Sequence, residues 1–256
     1  MNEIQKNRTF MHCPSFEKGM GLSDQKKGLP HPEHEIVKTG NFIELKHFTE
    51  ELENLSYMKL LDIRRSGRVY KDEKMTQEQL AFMLWSAHGI QEYRGAGNIA
   101  TFRPVASGGA RHPFELYVVV KNVEGLESGI YHYCPTKHVG EKRVTVEFIC
   151  SLDNSGHYEE KISAMVAGQK WATKAPVILF VSCIPYRAEW RYNTASHRVM
   201  LIDLGHIGQN IMLSAASLGL GSCCIAAFDQ KKCDEVLNFD GMDEYTVYVV
   251  TVGSVE

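Results

Sequence analysis

The chain has 256 residues, of which 44% are hydrophobic, 23% charged and 10% aromatic. That composition excludes a collagen, a coiled coil and a disordered chain, and the length suits one large domain or one domain with an extension. Lys and Arg number 28 against 31 Asp and Glu, a net charge of -3, so general nucleic-acid binding is not expected. Any bound anion must instead meet a local cluster of cations.

Residues 1–50 read as an N-terminal extended arm or linker. The start, MNEIQKNRTFMHC, lacks the apolar core of a secretory signal. Gly28-Leu29-Pro30-His31-Pro32 is expected to be extended, because each proline biases its predecessor away from the helical region. His31 and His34 do not read as a metal pair, since a proline separates them and no second pair follows, and no metal site is expected elsewhere. Residues 51–256 read as one domain.

Its first helix is predicted over Thr49–Ile63, with Leu52, Leu55, Leu60 and Leu61 giving an apolar face. Thr76-Gln77-Glu78-Gln79 is a capping box, and Leu80, Met83, Leu84 and Ala87 then recur at helical spacing up to Gly89. Strands are predicted at Glu115–Val120, at its hairpin partner Ile130–Tyr133, and at Val144–Phe148. A short helix over Tyr158–Ala167 leads to a buried strand, Val177–Ser182. The longest helix is Ala195–Leu218, with His206, Gln209 and Asn210 set among apolar residues. A helix over Lys231–Leu237 and a final strand over Tyr245–Val252 complete the order. Regular βαβ alternation is missing, which favours an α+β fold. No apolar run reaches the length of a membrane span, and the seven cysteines form no C-x-x-C. Both features fit a cytoplasmic protein with reduced thiols and no membrane partner.

Four stretches could carry chemistry. Arg64-Arg65-Ser66-Gly67-Arg68 offers guanidinium forks and a hydroxyl that match phosphate oxygens, although cations also cap helix C-termini. Ser107-Gly108-Gly109 lies between Pro104 and Pro113, in a tight loop whose backbone can approach a ligand or simply turn. Gly219-Leu220-Gly221-Ser222 follows a helix and opens towards a strand, the reverse of a dinucleotide fingerprint, and first of all reads as a glycine C-cap. Arg187, Arg191 and Arg198 accompany Tyr186, Trp190 and Tyr192, either as an anion or ring-stacking pocket or as an exposed basic face. No P-loop, nucleophile elbow or H-E-x-x-H occurs.

Taken in order, R-R-S-G-R, A-S-G-G-A-R-H-P-F-E-L-Y and G-H-I-G-Q-N-I-M-L-S-A-A-S-L-G-L-G-S resemble the FMN-dependent nitroreductase superfamily. Within it they are most similar to the SagB-type dehydrogenase branch, whose members oxidise azoline rings in ribosomal peptides. The resemblance covers residues from about 55 to 253. It implies a nitroreductase-like α+β fold, with a mixed, mostly antiparallel sheet flanked by helices. It also implies an intertwined homodimer with FMN sites at the interface. On that reading Arg64, Arg65 and Ser66 hold the FMN phosphate and ribityl chain, and Arg68 faces the N1/O2 edge of the ring. Ser107 and Gly108 come from the second subunit. Gly221 and Ser222 lie near the flavin, and Ala226 and Ala227 lie beside N5 and O4. Arg187, Arg191 and Tyr192 are candidates for the substrate pocket.

Two departures stand out. Ala106 replaces a frequent proline, and the residues after Val252 include no Lys or Arg where many relatives place one for the phosphate. The Arg64–Arg68 cluster is therefore expected to carry more of that charge. The implied chemistry is ping-pong transfer between NAD(P)H or an organic donor and a small-molecule acceptor, with flavin N5 as the reacting atom and no catalytic side chain assigned. Two alternatives stay open: a SagB-type azoline dehydrogenase in peptide maturation, and a non-catalytic flavin-binding protein on the same scaffold.

Overall fold

The computed structural model describes residues 22–36, 38, 40–48, 55–151 and 157–256. In chain order its elements are β1 (Phe42–Glu44), α1 (Tyr57–Ile63), α2 (Gln77–His88), β2 (Glu92–Arg94), β3 (Ala100–Phe102), β4 (Phe114–Val120), β5 (Gly129–Tyr133) and β6 (Thr145–Ser151). There follow α3 (Tyr158–Met165), β7 (Val177–Cys183), α4 (Tyr186–Tyr192), α5 (Ser196–Ser217), β8 (Gly221–Ile225), α6 (Gln230–Leu237) and β9 (Tyr245–Gly253).

Seven strands form one sheet in the order β1-β6-β5-β4-β7-β9-β8, and every ladder in it is antiparallel. Among the described residues, parallel pairing is confined to the isolated bridges Ser66–Ser222 and Met75–Val123. β7 sits inside the sheet and all its residues are buried, which is why it appears in the sequence as an unbroken apolar run. β4 divides its side chains between two cores. Leu116, Val118 and Val120 join Leu84 of α2 and Ile207 and Ile211 of α5 on one face. Tyr117 and Val119 join Ile162 of α3 and Leu237 of α6 on the other.

The helix ends follow local chemistry. Gln79 N donates to Thr76 Oγ1 at 3.2 Å, and Thr76 N donates to Gln79 Oε1 at 2.9 Å, so the capping box that starts α2 is formed on both sides. At the end of α5, Gly219 takes φ +68° and Leu220 N donates to Ala215 O at 2.9 Å. That turn delivers the chain directly into β8.

Several expectations need correction. Residues 1–21 of the segment read as an arm lie outside the described residues, but its described part is built into the domain: β1 forms the edge strand beside β6, Trp190 Nε1 donates to Leu29 O at 3.1 Å, and Gln25 N donates to Trp190 O at 2.9 Å. Of the first helix, residues 49–54 lie outside the described residues, and no residue of α1 is buried. The cations grouped as Arg187, Arg191 and Arg198 lie on two helices: Asn193, at φ +48° and ψ -134°, separates α4 from α5, so Arg187 and Arg198 share no helical face. His206 and Gln209 are exposed, and only Asn210 is half-buried, with Nδ2 donating to Ser86 O at 3.0 Å.

Candidate functional site

The arginine cluster is placed by backbone hydrogen bonds to distant parts of the chain. Arg64 closes α1 by donating its N–H to Leu60 O at 3.0 Å. The chain then runs extended along β8, with Gly67 N donating to Ser222 O at 3.0 Å. On its other side, Lys71 N donates to Ser254 O at 3.0 Å and Glu256 N to Val69 O at 3.2 Å. Tyr70 anchors the segment through a 2.7 Å bond with Thr251 Oγ1, and burial pushes its hydroxyl pKa upward. Two glycines permit this three-layer approach. A Cβ on Gly67 would stand 2.8 Å from Val255 Cγ1, and one on Gly221 would strike the same side chain.

The result is a cavity of about 480 Å³ whose lining includes Arg65, Ser66, Arg68, Gly221, Ser222 and Glu256. Arg65, Ser66 and Arg68 are exposed and offer guanidinium and hydroxyl donors, a set that suits phosphate oxygens. Arg68 lies over the Trp171 ring at 5.6 Å, and Arg65 Nη1 donates to Arg64 O at 2.8 Å. Glu256 brings an opposing carboxylate to the same cavity, at the place where a cation was expected. Arg64 itself is half-buried and outside the lining; its charge falls on Cys224 of β8. Ala226 and Ala227 follow β8, are exposed, and also lie outside the lining; Ala227 O accepts from Gln169 Nε2 at 2.8 Å.

The glycine loop forms a second group. Ser107 Oγ donates to Asp203 Oδ2 at 2.7 Å, and Gly108 N donates to the same oxygen at 3.0 Å. Ser107 Oγ also accepts from His112 N at 3.0 Å. Burial pushes the Asp203 carboxyl up, and the bonds from Ser107 and Gly108 oppose that shift. A Cβ on Gly108 would strike Val199, and one on Gly109 would strike the Tyr192 hydroxyl, so the loop lies flat on the α4–α5 junction beside Arg191 and Tyr192. Asp203 went unread in the sequence, although a carboxylate in an apolar helix three residues before His206 is a legible oddity.

Two of the three pocket candidates, Arg191 and Tyr192, thus stand beside this loop. Arg187 does not. It is only 3% exposed, and its Nη2 donates to Glu115 Oε1 at 2.5 Å, so its charge is committed to a buried carboxylate. Along α5, Asp203 and Met212 are nine residues apart, which separates the loop from the cavity by about 14 Å at the helical rise.

A larger groove of about 1020 Å³ lies between α3 and α6. Two of its three lysines are paired, Lys174 with Glu159 at 2.9 Å and Lys232 with Asp229 at 3.6 Å, and no guanidinium lines it. The smaller cavity is the better anion site.

The chain is similar to known proteins in sequence and in fold. The chain is 31% identical over 206 residues to "Putative nitroreductase MJ1384" of Methanocaldococcus jannaschii, covering 79% of this chain and 94% of that protein. It is 34% identical over 140 residues to the trifolitoxin-processing protein TfxB of Rhizobium leguminosarum bv. trifolii, a match that takes in 54% of this chain and only 36% of TfxB. In fold it is similar to a chain of the Escherichia coli microcin synthetase McbBCD complex, with a TM-score of 0.61 at 18% identity, covering 99% of this chain and 92% of that one. The nitroreductase family profile matches residues 61–254, and the chain belongs to that family.

Proposed function

We propose that the protein is an FMN-dependent oxidoreductase that works as a homodimer. The observation that carries this reading is the cavity between the Ser66 segment and β8, where exposed guanidiniums and a hydroxyl meet the start of a strand whose Gly221 lets Val255 pack close. Its volume falls within the roughly 300–1,000 Å³ of small-molecule sites. Arg64, Arg65 and Ser66 neutralise and orient the phosphate, with Arg64 acting from just outside the lining. Arg68, steadied on Trp171, presents positive charge to the N1/O2 edge. Gly221 and Ser222 leave room for the ring, and Ala226 and Ala227 bring backbone to its N5 side. Bound FMN supplies two-electron hydride chemistry at N5, while the protein supplies binding, orientation and electrostatics. The Glu256 carboxylate in the same lining repels a phosphate, which leaves Arg64 and Arg65 to bear its charge.

Exposed apolar residues support the dimer. Tyr57, Met58, Leu61 and Ile63 of α1 are 64%, 69%, 43% and 37% exposed, and Leu201 and Ile202 of α5 are 54% and 47% exposed. Large apolar side chains gathered on two neighbouring helices are a surface that a second subunit covers. In that dimer Ser107 and Gly108 of one protomer line the flavin held by the other, and Arg191 and Tyr192 stand at the mouth where a small-molecule acceptor enters. NAD(P)H serves as reductant. Likeness to a peptide-processing protein favours a second reading, oxidation of an azoline ring in a modified peptide.

The test starts with the flavin. Purified protein is expected to release FMN on denaturation and to bleach with NADPH or NADH under anaerobic conditions, then to recolour on a quinone or nitroaromatic. Release of FAD, or no flavin after reconstitution, overturns the assignment. Bleaching by an azoline peptide and not by NAD(P)H selects the second reading. FMN that responds to neither marks a flavin-binding protein without this chemistry.

A further inference from the structure

A cluster of buried ionisable groups lies in the other half of the sheet, on β5 and β6. It is four strand positions from β8, or about 19 Å at the usual inter-strand spacing, and the flavin reading makes no use of it. His132 and Glu147 are direct cross-strand partners, and Cys134 follows His132 by two residues, so the three side chains share one face. Each is 0% exposed. His132 Nδ1 lies 3.6 Å from Glu147 Oε2 and 3.9 Å from Cys134 Sγ, and the ligand atoms of the three residues all lie within 4.8 Å of one another. Donor atoms around a tetrahedral zinc stand about 3.3–3.6 Å apart, given the usual Zn–N, Zn–O and Zn–S lengths. The two pairs that involve His132 stand within a few tenths of an ångström of that geometry, and the thiol and the Glu147 carboxylate have to draw together to complete it.

Two further features point to a cation. Glu35, from the segment preceding β1, is 8% exposed, and its Oε1 is buried with no hydrogen-bond partner, while Oε2 accepts from Thr136 N at 2.7 Å. Thr136 is two residues from Cys134, so this bond brings the Glu35 carboxylate to the stretch of chain that carries the thiol. On the far side of the imidazole, His132 Nε2 meets Glu115 Oε2 at 3.0 Å, and Glu115 is fixed by Arg187. A histidine that ligates through one nitrogen and donates from the other to a carboxylate is the usual outer-shell arrangement of zinc sites.

We infer that His132 Nδ1, the Cys134 thiolate, Glu147 and Glu35 hold one structural divalent cation of the zinc class. The mixed N, S and O donors select zinc over magnesium or calcium, and the closed, buried setting leaves no position for a substrate. The cation ties the segment before β1 to β5 and β6, where Lys38 N already donates to Glu147 Oε2 at 3.0 Å.

The full chain, produced in minimal medium supplemented with zinc or cobalt and passed over a chelating resin, tests this. One zinc per chain is expected by elemental analysis. The cobalt form is expected to show tetrahedral visible bands and a near-ultraviolet sulfur-to-cobalt charge-transfer band. Cys134→Ser should abolish that band with an unchanged far-ultraviolet circular dichroism spectrum, and Cys233→Ser should leave it intact. Substoichiometric metal, a cobalt spectrum without the thiolate band, or a band that survives Cys134→Ser overturns the site in favour of a proton-bridged network. If Cys134→Ser fails to fold, zinc-edge absorption of the unaltered protein decides: one sulfur at about 2.3 Å with nitrogen and oxygen supports the site, and an all-oxygen shell refutes it.

Discussion

Replacing Ser107 by alanine should unlatch the glycine loop from α5, with a cost that depends on pH. Ser107 Oγ serves two partners, donating to Asp203 at 2.7 Å and accepting from His112 N at 3.0 Å. A charge-assisted bond contributes about 1.5–3 kcal/mol, and a buried N–H left unpaired costs about 1–3 kcal/mol. Ser107 is half-buried, so water recovers part of both, and about 2–4 kcal/mol is the expected loss at neutral pH. The pH dependence follows from Asp203, whose carboxyl pKa is raised by burial above its unfolded value while Ser107 and Gly108 restrain it. A raised carboxyl stabilises the fold fully below its unfolded pKa, and that contribution is lost as pH rises through the folded value. Removing Ser107 raises the folded value further, so the extra loss applies near neutrality and shrinks on acidification. Urea unfolding of both proteins, followed by circular dichroism at about pH 7 and about pH 5, measures the difference. A deficit below about 0.5 kcal/mol, within the usual scatter of surface substitutions, or one that does not change with pH, refutes the latch. In Asp203→Asn the pH-dependent part should vanish.

Three further outcomes are expected. Gly221→Ala drives a methyl into Val255 and should cost about 1–3 kcal/mol and most of the flavin affinity, with Val255→Ala in the same chain restoring both; an unchanged flavin dissociation constant in the single variant refutes the cavity assignment. Arg68→Gln should lower the flavin midpoint potential by several tens of millivolts, since about 30 mV corresponds to about 1.4 kcal/mol for a two-electron couple; a potential that stays put while FMN still binds shows that Arg68 faces elsewhere. Leu201→Glu, which puts a charge on the exposed apolar face of α5, should yield a monomer with reduced flavin content in sedimentation, and an unaltered dimer removes that face from the interface.

What the sequence disclosed follows from how local each signal is. The capping box at Thr76, the run Val177–Ser182 and the glycine that ends α5 are each fixed by neighbours within a few residues, and each appears in the structure where the pattern put it. Strands of three residues, such as Phe42–Glu44 and Glu92–Arg94, are too short to show alternation. At Gly221–Ile225 the sequence shows an opening towards a strand but not its start, because the glycine and serine belong equally to the helix cap. The break at Asn193 carries no Gly or Pro, so nothing in the sequence marks that Arg187 and Arg198 lie on two separate helices. Nor can spacing tell an arginine at a ligand from one sealed against Glu115, because the partner is 72 residues away. The meeting of Ser66 with Ser222 has the same origin: a bridge across more than half the chain leaves no local trace, and only the family resemblance joined the two motifs.

α5 also explains why one chain leaves the proposed flavin site incomplete. Its N-terminal half holds the Ser107 loop through Val199 and Asp203, and its C-terminal half lines the cavity through Met212 and Ala216. These stations lie about 14 Å apart on a rigid rod, so no loop motion within one chain brings them together. Leu201, Ile202 and His206 are exposed between or beside them, and a Cβ on Gly205 would meet nothing within 4 Å, which leaves room for a close approach. In a two-fold dimer whose axis stands perpendicular to the two helices they run antiparallel, so the loop station of each points towards the cavity station of the other. A parallel crossing would set loop beside loop and leave both cavities half-lined. The antiparallel arrangement is therefore the one that completes two equivalent sites with the residues this chain presents.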